Sequence, residues 1–200
     1  MIKKGIIGGT FDPIHNGHLY IAYEAMYRLN LNKVIFMPSG NPPHKMDKVI
    51  TDAMIRYNLV NLAIKKEKCF EVSDFEIKKN GYSYTFETME HFKTLEPEVE
   101  WYFITGADCL RDLHLWKDVH RILEACKLVV FNRPGQDKEL LIREKKITEA
   151  KYNKDIIFLD LLQLEISSSM IREAMGEGRN VSFFLPEAVY DAANELGLYK

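Results

Sequence analysis

The chain reads as an α/β fold, an open parallel sheet with helices on both faces. Three observations predict it. Short apolar runs alternate with amphipathic stretches of helical period along most of the length. Leu128-Val129-Val130-Phe131 is apolar at successive positions, as a strand covered on both faces must be. The strand–helix order recurs throughout, with no internal repeat and no Pro/Ser/Gly-rich linker, which predicts one domain spanning 1–200.

The elements follow in order. Ile6-Ile7 is a brief strand core, and Leu19, Ala22, Tyr23, Met26 and Leu29 then recur at helical spacing. Val34 to Met37 is a second strand, stopped by Pro38 because proline cannot donate to a sheet ladder. Thr51 or Asp52 caps a helix with Ile55, Leu59, Leu62 and Ala63 on one face. Phe70 to Ile77 reads as a strand ending at the Asn80-Gly81 turn. Thr85 begins a helix through about Leu95, with Phe86, Met89 and Phe92 inward. Val99 to Ile104 is the next strand, then an amphipathic stretch runs from Gly106 to Cys126. After the strand at Leu128, residues from about Lys138 to Lys154 form a solvated helix with its connections, and Ile156 to Leu159 a buried strand. Two helices close the chain, one over about Ser168 to Met175 and one from Pro186 to just before Gly197.

Composition narrows the function classes. At 200 residues the chain buries roughly 70% of its unfolded surface and needs no staple or metal to fold. With 46% hydrophobic and 28% charged residues, disordered and low-complexity readings fail. The net charge of -2 lacks the positive surplus of a nucleic-acid binder. Cys69, Cys109 and Cys126 form no CxxC pair and are odd in number, which predicts reduced thiols in a cytosol. No run approaches the ~20 apolar residues of a membrane span. The start Met1-Ile2-Lys3-Lys4 lacks the ~7–15-residue apolar stretch of a secretory signal. The expectation is a soluble cytoplasmic protein without nucleic-acid or membrane partners.

The densest chemistry lies in the first strand-to-helix turn, Gly8 through Leu19. In an open parallel sheet, ligands bind beyond the carboxyl ends of the strands. Gly8 and Gly9 remove side chains where a phosphate must come close, and Pro13 biases Asp12 away from helix. The helix starting near Gly17 offers N–H groups and a partial positive charge to an anion. His15 and His18 are three residues apart, so both imidazoles can face one bound group and neutralise charge on a leaving oxygen. Two other readings stand beside this one: capping and packing of the helix start, or zinc ligation, for which no third ligand stands at conventional spacing. The segment is neither the Walker pattern nor the dinucleotide GxGxxG fingerprint.

Gly8 through Leu19 resembles the GGTFDPIHxGHL signature of the HxGH nucleotidyltransferase superfamily, which is distantly akin to class I aminoacyl-tRNA synthetases. Near the C-terminus, Ile166-Ser167-Ser168-Ser169-Met170-Ile171-Arg172 opens a helix. By itself this is as much an ordinary capped helix with a surface arginine as a phosphate site. The superfamily pairs its HxGH loop with an ISSTxIR-like element, and here Ser169 stands where threonine is usual. The resemblance implies a Rossmann-like fold in which these residues grip the β and γ phosphates of ATP.

Three middle segments bear on the second substrate. Asn41 to Lys45 carries Pro42-Pro43 with His44 and Lys45, Gly81 to Thr85 enters a helix, and Gly106-Ala107-Asp108 with Leu113 and Trp116 follows a buried strand. Singly, each also fits a rigid surface loop, an N-cap or a core tryptophan. In this order, with Leu185-Pro186, Val189-Tyr190 and Leu198-Tyr199 at the end, they resemble the bacterial nicotinate-mononucleotide adenylyltransferase family across essentially the whole chain.

That resemblance implies transfer of AMP from ATP to nicotinate mononucleotide, giving deamido-NAD and pyrophosphate, in NAD synthesis. It implies His15, His18 and Arg172 as catalytic residues and Mg2+ accompanying ATP, with no protein metal site. Gly8, Gly9, Thr10, Phe11, Gly17, Ser168, Ser169 and Arg172 would line the ATP side. His44, Lys45, Thr85, Gly106, Asp108, Trp116 and, less directly, Arg133 would line the acceptor side. A homo-oligomer is compatible with the sequence. Phosphopantetheine adenylyltransferases typically carry threonine at the position of His15, and they and the cytidylyltransferases are shorter. An enzyme preferring the amidated mononucleotide, and a non-catalytic nucleotide sensor, remain as alternatives.

Overall fold

The computed structural model describes residues 1–40, 50–132, 137–162 and 164–200. His44, Lys45 and Arg133, expected at the acceptor, lie outside the described residues. The first half of the chain contributes β1 (Lys3–Gly9), α1 (Asn16–Leu29), β2 (Lys33–Pro38), α2 (Ala53–Ile64), β3 (Phe70–Val72), α3 (Phe75–Lys78) and α4 (Thr85–Leu95). Then follow β4 (Glu100–Gly106), α5 (Ala107–Arg111), a 3-10 turn (Leu113–Leu115), α6 (Val119–Ala125) and β5 (Lys127–Phe131). The remainder forms α7 (Lys138–Tyr152), β6 (Ile156–Leu159), α8 (Ser168–Gly176) and α9 (Glu187–Glu195).

Among the described residues the six strands form one sheet in the order β3-β2-β1-β4-β5-β6. Every neighbouring pair is parallel. This is the doubly wound, Rossmann-like order, whose direction reverses between β1 and β4. Ile7 pairs with Ile104 across that switch point, so the carboxyl ends of the two strands, Gly9 and Gly106, open onto the same edge.

The period-2 alternation of strand side chains divides the core in two. Ile7, Val34, Phe36, Tyr102, Ile104, Val129 and Phe131 face the cluster built with α1, α2, α8 and α9. Ile6, Ile35, Met37, Trp101, Phe103, Leu128 and Val130 face the other, with α4 to α7. The inner runs of β1, β2, β4 and β5 are therefore apolar at successive positions because both of their faces are covered.

Local chemistry sets the helix ends. The Asp52 carboxylate accepts from Met54 N and Ile55 N, which settles the choice of cap for α2. Asn30 closes α1 in the left-handed region at φ 52, its N–H reaching Met26 and Tyr27 carbonyls.

Three sequence expectations change. The strand expected over Phe70 to Ile77 ends at Val72, because Ser73 Oγ accepts from Phe75 N and turns the chain into α3. Pro38 belongs to β2 as its last paired residue, beside Gly9, where a missing N–H does no harm. The stretch from Gly106 to Cys126 breaks into α5, the 3-10 turn and α6, with Asp118 in the left-handed region at φ 52.

Candidate active site

The cleft at the switch point has a volume of about 750 Å³ and is walled by the β1–α1 loop, the ends of β4 and β5, residues 161, 162 and 164–167, and the start of α8. It gathers Gly8, Gly9, Thr10, Phe11, His15, Gly17 and His18 from the first motif. Gly106 joins them, as do Ser168, Ser169 and Arg172 from the second motif, whose Arg172 meets Asp12 across 160 positions of chain.

The two imidazoles form one unit. Their ring centroids lie 3.7 Å apart at 30°, and the His15 backbone N–H donates to His18 Nδ1 at 3.3 Å. A backbone N–H is an obligatory donor, so Nδ1 of His18 carries the lone pair and the proton of the neutral ring resides on Nε2. His15 is buried and His18 half-buried. Phe11 holds the other side of His18, edge-on at 5.0 Å. Gly17 makes the stack possible, because a Cβ there would lie 3.0 Å from His15 Nδ1.

The loop is shaped from behind. Phe11 is left-handed at φ 51 while its ring is buried, a conformation that costs a non-glycine residue roughly 1–3 kcal/mol and persists only when its surroundings enforce it. A Cβ on Gly9 would meet the Phe11 ring at 2.9 Å. Gly9 is thus required by internal packing, whereas Gly8 is exposed on the cleft side, as expected for a ligand approach.

Arg172 Nη1 donates to the Asp12 carbonyl at 2.7 Å and Nη2 to Ser169 Oγ at 3.3 Å, while Ser168 Oγ donates to the Pro13 carbonyl at 2.9 Å. The second motif is therefore docked onto the first by two hydrogen bonds, Arg172 to Asp12 and Ser168 to Pro13, while the Arg172–Ser169 bond holds the guanidinium within its own motif. Ser167 serves as the cap of α8, accepting from Met170 N, which leaves Ser168 and Ser169 for other contacts. At the other end of the motif, Asn16 N and Nδ2 donate to the Phe184 and Phe183 carbonyls and fix the start of α1.

Several residues that shape this site were not singled out from sequence. The buried Asp12 carboxylate accepts from Tyr199 OH at 2.8 Å and Thr51 N at 3.3 Å. Burial pushes the Tyr199 phenol up, so it remains a donor. Arg56, 2% exposed, donates to the carbonyls of Thr51, Thr10 and Ser39. Burial pulls its guanidinium below the ordinary arginine range, and the Asp12 and Asp52 carboxylates oppose that. An arginine on the apolar side of α2, in line with Leu59, Val60 and Ile64, was the available signal. Asn132 reproduces a strand pairing with its amide, donating to the Leu161 carbonyl at 3.3 Å and accepting from Leu161 N at 2.7 Å. Tyr20 OH accepts from Leu162 N, so the far wall is tied to α1.

The acceptor-side residues are more dispersed. Thr85 is the first residue of α4, whose cap Tyr84 makes no side-chain capping bond. Asp108 lies in the first turn of α5 and pairs with Arg111 at 3.0 Å. Trp116 is half-buried, its ring edge-on to Phe103 at 6.1 Å. Apart from Gly106, these residues do not wall the cleft.

Among the described residues, no three His, Cys, Asp or Glu side chains stand where they could hold a metal ion together. No described helix is long and apolar enough to cross a membrane.

Comparison with known proteins agrees with this geometry. A family model, "Cytidylyltransferase-like", matches residues 6–174. A probable nicotinate-nucleotide adenylyltransferase of Clostridium novyi is 55% identical over 200 residues, covering all of both chains. Its counterpart in Clostridium tetani is 54% identical over the same span. The solved structure of Plasmodium falciparum nicotinic acid mononucleotide adenylyltransferase complexed with NaAD superimposes with a TM-score of 0.79, covering 100% of this chain and 98% of that one at 17% identity. With the sheet order, the stacked histidines and full-length relatives alike at more than half of their positions, the chain belongs to the cytidylyltransferase-like family and, within it, to the nicotinate-nucleotide adenylyltransferases.

Proposed function

We propose that this chain transfers AMP from ATP to nicotinate mononucleotide, releasing pyrophosphate and deamido-NAD. The observation that carries the reading is the convergence of the His15–His18 stack and Arg172 on one cleft at the sheet's switch point. The full-length relatives supply the choice of acceptor.

A 5′-phosphate oxygen of the mononucleotide attacks the α-phosphorus of ATP in line. The bond from that phosphorus to the β-phosphate's bridging oxygen breaks, and pyrophosphate leaves with the electron pair. The nucleophile is already ionised at neutral pH, so no general base is needed, and catalysis rests on positioning and charge stabilisation. His18 offers its Nε2–H to the charge that grows on the transferred group and the leaving oxygen. Arg172, Ser168 and Ser169 hold the pyrophosphate end, and Gly8, Gly9, Thr10 and Phe11 bring the loop backbone close to the nucleotide.

Mg2+ enters as part of the substrate, bound to triphosphate oxygens and offsetting their charge, as is usual for a cation that keeps most of its ligands outside the protein. On the acceptor side, the start of α4 at Thr85 presents N–H groups suited to the nicotinate carboxylate, and Trp116 offers a flat face for the ring. His44 and Lys45 would meet the mononucleotide phosphate, with Asp108 near a ribose and Arg133 as a further acceptor contact. The reaction belongs to a cytoplasmic enzyme of NAD synthesis. A pyrophosphate-release assay with ATP and either the acid or the amide mononucleotide tests the reading: the acid should be the better acceptor, and no release with either would reject it.

A further inference from the structure

We infer that Arg56, which does not wall the cleft, is a positioning residue that aims the Phe11 backbone N–H at the nucleotide. The inference rests on the ATP site proposed above.

Arg56 projects from α2 behind the β1–α1 loop, and its three donor nitrogens are all used on main-chain carbonyls. Nε takes Thr51 at 2.8 Å, Nη1 takes Thr10 at 2.6 Å and Nη2 takes Ser39 at 2.8 Å. Those carbonyls belong to three separate segments: the start of α2, the nucleotide loop and the exit of β2. Ser39 is also tied to the loop directly, its N–H donating to the Gly9 carbonyl at 2.9 Å.

The consequence follows from the peptide plane. In a trans peptide the C=O and the following N–H point in opposite directions. The cis bond of this loop is Asp12-Pro13, so the Thr10–Phe11 peptide is trans. Drawing the Thr10 carbonyl back onto Arg56 therefore turns the Phe11 N–H away from Arg56, towards the cleft that Thr10 and Phe11 line. The same bond braces the left-handed Phe11, the conformation that makes this reversal of the chain. Neighbouring loop carbonyls are claimed in the same way, Asp12 by Arg172 and Pro13 by Ser168. A planar fork with five donors suits this task, and an ammonium cannot reach three carbonyls in one plane.

Three measurements test the inference. In Arg56→Lys, with folding confirmed by thermal unfolding, kcat/KM for ATP should fall about 10²-fold, the scale of a 1 Å misplacement, while KM for nicotinate mononucleotide changes little. In Arg56→Ala, added guanidinium should restore part of the lost turnover, and sodium at equal ionic strength should not. Should either variant fail to fold, wild-type protein labelled with 15N-phenylalanine decides: the Phe11 amide proton should move downfield on binding a non-hydrolysable ATP analogue. A folded Arg56→Lys with wild-type kinetics, or a Phe11 amide that does not respond to the bound analogue, overturns the inference alone. Wild-type protein that transfers no adenylyl group overturns the proposed reaction, and this inference with it.

Discussion

His18 receives a hydrogen bond from the backbone of His15 at 3.3 Å while its ring stacks on the His15 ring at 3.7 Å. The pair thus fixes which nitrogen faces the cleft. His18→Ala should lower turnover by about 10²–10³-fold, as loss of one preorganised donor does elsewhere. His18→Gln, whose amide nitrogen reaches the place of Nε2, should retain more activity than His18→Asn, whose amide reaches only the place of Nδ1. Steady-state pyrophosphate release by the three variants checks the order, and equal activity of Gln and Asn would remove the tautomer argument.

Arg172 bonds the Asp12 carbonyl and Ser169 Oγ with separate nitrogens. Arg172→Ala should lower kcat/KM for ATP by about 10²–10³-fold, and Arg172→Lys should recover only part of it, because a point charge does not replace a fork. The measurement is kcat/KM with ATP varied at saturating acceptor, and full recovery by lysine would reduce Arg172 to a positive charge.

Trp116 leans edge-on against Phe103 and keeps part of its ring exposed. Trp116→Ala should raise KM for nicotinate mononucleotide by roughly 5–150-fold, the equivalent of about 1–3 kcal/mol of ring stacking, with KM for ATP nearly unchanged. Equal effects on both substrates would assign the indole to the core alone.

Glu76 carries a pH-dependent contribution to stability. Burial pushes its carboxyl above the ordinary value of 4.5, against the opposing effects of Thr88, whose Oγ1 donates to it at 2.8 Å, and of Lys79. A carboxyl that holds its proton more tightly folded than unfolded favours folding at low pH, and the benefit is lost as pH rises through the folded value. Glu76→Gln keeps an acceptor for Thr88 and removes the half-buried charge. Thermal unfolding should therefore show the variant more stable than wild type at about pH 8, with the difference shrinking towards about pH 4. A difference independent of pH would contradict this.

Much of this fold was legible in the sequence because both sheet faces are covered and the strands announce themselves as apolar runs. The exceptions have local causes. Phe75 to Ile77 looked like strand because Phe and Ile favour strands, but Ser73 Oγ turned the chain before them. The site's first tier was legible because glycines, histidines and the serine–arginine helix start sit in short contiguous motifs. The tier behind it was not, since Asp12, Thr51, Arg56 and Tyr199 meet only in space. From sequence Gly9 reads as a place of ligand approach, whereas its tight packing against the Phe11 ring follows only from the left-handed turn of Phe11.

The most direct test of the shared phosphate site is a crystal structure of this chain with an ATP analogue bridged by carbon between the α and β phosphorus atoms. The account predicts phosphate oxygens about 3 Å from His18 Nε2 and from the Arg172 guanidinium in the same molecule. Phosphates bound elsewhere, with both side chains left facing solvent, would contradict it.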